Sequence, residues 1–226
     1  MTTVRAGGIA IMAVVLGLAL AGCGSDEKRS ETAKATTSSS TAPASSAVAK
    51  PNASIPDYIK ANGITEAAVK RGDPGSPDIN IPPPPGWEDM GPKTPRWAWG
   101  GIKFTGDPAL AAHPPTILAL LSKLSGNVDP AKILEFAPGE MKNLPGYEGD
   151  GAGVASTLGG FDAWQISGTY MKNGAKRAVA QKTVTIPGAD GLYVLQLNAD
   201  GAEDQMGILK DATRVIDEQT TITPAP

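Results

Sequence analysis

Asn173-Gly174 constrains the fold of this chain more than any other pair of residues. A two-residue type I′ turn needs positive φ at both central positions, which Asn and Gly tolerate best, so the pair marks a hairpin. Residues 161–170 precede it with loose alternation. Residues 177–186 follow, with Val179, Gln181, Thr183 and Thr185 on one face and Ala178, Ala180, Lys182, Val184 and Ile186 on the other. Pro187-Gly188-Ala189-Asp190-Gly191 turns the chain again, and residues 192–197 complete a three-strand antiparallel meander. A last helix is predicted from Asp200 or Gly201 through Gln219. In it Met206, Leu209, Ala212, Thr213 and Ile216 recur at helical spacing and face the sheet.

The segments before the hairpin are shorter. Residues 54–63 predict a helix with Ser54 as N-cap, Pro56 in the first turn and Asn62-Gly63 as stop. Residues 64–70 and 78–81 predict short strands, and Pro82-Pro83-Pro84-Pro85 must lie at an edge or in a loop. Residues 97–105 predict a strand with Trp97 and Trp99 on one side. Residues 115–124 fit either a buried strand or a helix. Asp129-Pro130 opens a clear helix with Ile133, Leu134 and Phe136 on its apolar side. Helices early and late around antiparallel strands give an α+β domain, with helices covering the sheet faces, over residues 54–226.

The N-terminus supplies an address. Arg5 precedes an apolar run over residues 9–20, and Leu20-Ala21-Gly22 leads into Cys23, the only cysteine. Twelve strongly apolar residues fall short of the about 20 that a membrane span needs. The pattern predicts a secretory signal over residues 1–22. It is of the lipoprotein kind, with Cys23 taking a diacylglyceryl group and small Ala21 and Gly22 admitting the peptidase. Residues 23–53 then form a Ser/Thr/Ala-rich tether, too poor in apolar side chains to fold. The mature chain would sit on the outer face of the plasma membrane. Its net charge, −3 for the whole chain, offers no broad basic face for nucleic acid. With Cys23 lipidated, no thiol is left for a disulfide or a thiolate metal site.

Catalytic patterns are missing. His113 is the only histidine and sits before Pro114-Pro115 in an extended or turn segment. No nucleophile elbow, His-Glu-x-x-His or Cys-x-x-Cys is present. Glu66, Glu88, Asp89, Glu148, Asp150, Glu203 and Asp204 are scattered acids, which a glycoside hydrolase would have to pair in space. No catalytic residue, metal site or cofactor is predicted. The tryptophans are more suggestive. Trp97 and Trp99 precede Gly100-Gly101, and Trp87 follows the proline run. Flat indoles beside a glycine floor suit a sugar ring or an acyl chain, whereas the alternative places them in the core.

Several blocks carry a family resemblance: Ile55-Pro56-Asp57-Tyr58-Ile59, Leu121-Ser122-Lys123-Leu124, Phe136-Ala137-Pro138-Gly139-Glu140, Ala180-Gln181-Lys182-Thr183-Val184 and the run 215–224. Together with the lipobox they resemble the LpqN/LpqT family of mycobacterial lipoproteins. The resemblance implies a Mog1/PsbP-like α/β/α sandwich and a non-enzymatic accessory role in envelope building. It implies trehalose-type glycolipid as ligand, and RND-type lipid exporters and mycolyltransferases as partners. A protein-binding adaptor with no lipid ligand is the competing expectation.

Overall fold

The computed structural model describes residues 52–149 and 151–225. The expected signal segment with Leu20, Ala21 and Gly22, the expected lipidation site Cys23 and nearly all of the expected tether lie outside them. The first helix, α1 (Ile55–Ala61), starts at Ser54, whose N–H and hydroxyl donate to the Asp57 carboxylate at 2.9 and 2.7 Å. Those bonds close the first turn and hold the Asp57 carboxyl below its ordinary range. Strands β1 (Thr65–Ala68), β2 (Asp78–Asn80) and β3 (Trp87–Asp89) follow, with the four prolines in the loop between the last two.

Strand β4 covers Gly100–Phe104 rather than the whole of 97–105. The Ala98 N–H donates to the Pro95 carbonyl at 2.9 Å, so residues 95–98 form a turn. Trp97 and Trp99 therefore do not share a strand face: Trp97 is 60% exposed and Trp99 is buried. Residues 116–125 settle as a strand, β5 (Thr116–Ser125), with Ile117, Ala119 and Leu121 buried in alternation. Asp129 caps α2 (Pro130–Phe136), accepting from the Ala131 N–H at 2.9 Å, and α3 (Pro138–Lys142) follows directly.

The rest of the chain builds the centre of the sheet. Short strands β6 (Glu148–Gly149) and β7 (Val154–Leu158) lead into β8 (Phe161–Lys172), β9 (Ala175–Gly188) and β10 (Gly191–Ala202). The hairpin turns at Asn173 and Gly174 with φ of 52° and 78°, as a type I′ turn requires. The helix expected from Asp200 or Gly201 begins later, as α4 (Met206–Gln219), before β11 (Thr221–Thr223). Asp200 stays in the strand because its carboxylate accepts from the Arg177 guanidinium and from the Tyr170 hydroxyl.

Among the described residues nine strands make one antiparallel sheet, in the order β3-β4-β5-β10-β9-β8-β6. β1 shares the outer edge of β5 with β4, and β7 shares the edge of β8 with β6. β2 and β11 form a separate two-stranded ribbon. Alternation along β10 divides the core. Tyr193, Leu195, Leu197 and Ala199 point to the face covered by Leu209, Ala212 and Ile216 of α4. Leu192 and Val194 point to the other, covered by Ile55 of α1 and Ile133 of α2. Helices thus lie on both faces of the sheet.

Candidate functional site

The α4 face is incompletely filled. Residues on this face of β8 and β9 are short: Ser167, Ala178 and Ala180, with Ala199 beside them on β10. Above them Met206, Lys210, Thr213 and Asp217 recur at spacings of four, three and four, so they form one stripe along the flank of α4. Short side chains under a helix flank leave a groove of about 530 Å³. Its floor and inner wall are apolar, from Ile117, Leu197, Ala199, Met206 and Leu209. Its rim is polar, from Gln165, Lys210, Thr213 and Arg214, and the 54% exposed Val154 stands at its mouth. Arg214 is held by Glu218 at 3.0 Å.

One end of the groove is closed by a buried charge. Lys182 lies on the apolar face of β9, yet its ammonium reaches Asp217 Oδ1 at 2.6 Å, Ser156 Oγ at 3.0 Å and the Thr157 carbonyl at 3.4 Å. Three donors meet three acceptors, which is what a buried ammonium needs. The same contacts tie the last turns of α4 to β7 and β9. An apolar trough with a hydrogen-bonding rim takes up an amphiphile, the chain below and the head group at the rim.

The tryptophan corner is built differently. Trp87 is buried with its ring edge-on to Phe104, centroids 5.7 Å apart. Trp97 stands on the surface and lines neither cavity. Trp99, Gly100 and Gly101 do border a second cavity of about 370 Å³ beneath the β2–β11 ribbon, which shares Ile117 and Leu197 with the groove. The close approach that the glycines allow is used by the chain itself. The Arg71 guanidinium lies 4.6 Å over the Trp99 ring, and a methyl group on Gly100 would fall 2.6 Å from its Nη2. One on Gly101 would meet Leu118 at 2.7 Å and Met90 at 3.1 Å. Arg71 is also paired with Asp89 at 3.0 Å. The Gly91 N–H and then Arg71 hold the Asp89 carboxyl below its ordinary range.

Alternation in the sequence places Ala178, Ala180 and Lys182 on one strand face but does not reveal the groove. A lysine among alanines on a core face was the available signal. Among the described residues no cluster of three His, Cys, Asp or Glu side chains is placed to hold a metal. His113 is exposed, and its carbonyl accepts from Gln205 Nε2 at 3.0 Å. Glu148 and Glu203 do come together, on a shared Lys176 at 2.9 and 3.5 Å. Both are exposed and ion-paired, without the apolar surroundings that prepare a general acid.

The family model described as "Probable lipoprotein LpqN" matches residues 51–223, more than three quarters of the chain. The chain belongs to the LpqN lipoprotein family. Lipoprotein LpqN of Mycobacterium tuberculosis (strain H37Rv) is 57% identical over 176 residues, which span 78% of this chain and 76% of that protein. A crystal structure described as LpqN involved in cell envelope biogenesis of M. tuberculosis is similar with a TM-score of 0.74 and 56% identity. The match covers 77% of this chain and 100% of the solved one, so the LpqN domain stands as a folded unit without the N-terminal segment. The α+β architecture of the LpqN family is therefore shown for this chain.

Proposed function

We propose that this protein is a non-enzymatic accessory of cell-envelope biogenesis that binds an envelope glycolipid in the groove beside α4. The observation that carries this reading is the groove itself, an apolar trough of about 530 Å³ with a polar rim. The involvement in envelope biogenesis given for the solved LpqN supports the setting. The lipobox supports a diacylglyceryl anchor on Cys23 at the outer face of the plasma membrane. Two or three acyl chains there give stable anchoring that one would not. A trehalose-type head group fits a rim of Gln165, Thr213, Lys210 and Arg214, which offers donors and acceptors without one dominant charge. In this role the domain holds the lipid between an RND-type exporter and a mycolyltransferase.

The test is thermal unfolding of the domain with a series of alkyl-trehaloses. A ligand of the folded state at 100 times its Kd raises stability by about 2.7 kcal/mol. The expected result is a rise in Tm that grows with chain length until the trough is full. No rise across the series contradicts the reading.

A further inference from the structure

Trp97 is the most exposed large apolar side chain among the described residues, and it is not loosely held. It sits at the tip of the turn closed by the bond from the Ala98 N–H to the Pro95 carbonyl. The Lys70 ammonium fixes that tip by donating to the Arg96 carbonyl at 2.6 Å. Two prolines, Pro92 and Pro95, stiffen the approach. On the next residues the chain is anchored by buried Ala98 and Trp99, the latter donating its N–H to the Ala119 carbonyl at 2.8 Å. A rigid turn thus presents an indole to solvent.

Three cations stand near it without an ion-pair partner among the described residues. Arg96 is its neighbour on the turn, with Lys93 three residues before and Lys70 bound beneath. None of these three has a carboxylate within ion-pair distance among the described residues. The nearby acids are engaged elsewhere: Asp73 accepts from the Lys70 backbone N–H, and Asp89 is held by Gly91 and Arg71. A cationic patch with an indole at its centre stands out on a chain of net charge −3.

We propose that this turn is a membrane-docking site, with Trp97 seated at the level of the lipid head groups and Lys93, Arg96 and Lys70 facing anionic lipid phosphates. An indole is amphipathic and favours the membrane–water interface, and cations beside it are attracted to an anionic leaflet. The length of chain outside the structure favours a membrane over a protein partner. About 30 residues separate Cys23 from the domain, and a flexible chain of that length reaches roughly 30 Å. An anchored domain on such a leash samples the bilayer at high effective concentration, so a weak patch suffices. This last point rests on the lipid anchor of the proposed function; the patch does not. Docking would also set the Trp99–Arg71 cavity, and the groove that adjoins it, next to the lipid.

The test is co-sedimentation of the tether-plus-domain chain carrying Cys23→Ser with vesicles of phosphatidylcholine alone or with a third phosphatidylglycerol. The anchor is thereby removed, and the groove is checked in parallel with Ala180→Phe. The parent is expected to bind the anionic vesicles and to leave them as salt is raised. Trp97→Ala lowers the partition coefficient at least about tenfold, from the apolar area it withholds. Arg96→Gln and Lys93→Gln each lower it about fivefold. Ala180→Phe binds vesicles as the parent does even where it has lost the glycolipid. A parent that ignores anionic vesicles, or a Trp97→Ala chain that unfolds at the parent's Tm and binds them equally well, overturns the proposal.

Discussion

The two hollows on the α4 face differ in what fills them. Beside Trp99 the Arg71 guanidinium lies over the ring and takes up the space that Gly100 frees. Beside α4 the floor is Ser167, Ala178, Ala180 and Ala199, and the trough above it measures about 530 Å³. The aromatic corner keeps a cavity of about 370 Å³ lined by Arg71 and Trp99. The short residues on the core face leave the larger of the two hollows, about 530 Å³. A groove of this kind is made by what the sequence withholds.

The contrast can be broken in several places. The largest effect is expected at the closed end of the groove. Asp217→Ala removes the carboxylate from a Lys182 ammonium that is almost wholly buried, and should cost about 2–3 kcal/mol in chemical denaturation. Lys182→Met, which takes the charge away with its partner's obligation, should cost less than Asp217→Ala. The reverse order would mean that the ammonium is not confined as described.

Gly101→Ala tests how tightly β4 is packed on the sheet face opposite α4, where Gly101 faces Leu118 and Met90. Its new methyl group meets Leu118 at 2.7 Å, so about 1–2 kcal/mol of stability should be lost. Ala180→Phe tests whether the groove is empty, and should change stability by less than about 0.5 kcal/mol because the ring enters open space. Equal costs for the two would erase the distinction.

The opposite face supplies a pH-dependent control. Burial, and then the hydrogen bond to Asp200, push the Tyr170 hydroxyl up to about 12. The folded state therefore keeps this proton in a range where the unfolded chain, with a tyrosine near 10, releases it. Stability from Tyr170 is complete below pH 10 and is lost as pH rises towards 12. Denaturation midpoints should fall over that window in the parent and fall less in Tyr170→Phe. The groove's capacity for ligand should not follow the same curve.

Much of the fold was legible because local chemistry states it. Asn173-Gly174, the Asp129-Pro130 start and the Ser54 cap each name one local geometry, and each is present. What was not legible depends on distant partners. β2 and β11 are runs of three residues joined across about 140 positions, with Ile79 opposite Ile222. β6 and β7 exist only as edges of β8. The start of α4 was displaced because Asp200 finds Arg177 and Tyr170 across the sheet rather than a helix N-terminus. The turn over residues 95–98 split Trp97 from Trp99, which alternation alone had put together. The groove was hidden for the same reason: the lengths of Ala178 and Ala180 matter only once α4 is laid over them.

The groove beside α4, and not the tryptophan corner, is proposed to hold the ligand. Calorimetric titration of an alkyl-trehalose into the parent, Ala180→Phe and Arg71→Ala chains tests it directly. Binding is expected for the parent and for Arg71→Ala, and none for Ala180→Phe. Undiminished binding by Ala180→Phe, with loss in Arg71→Ala, would contradict it.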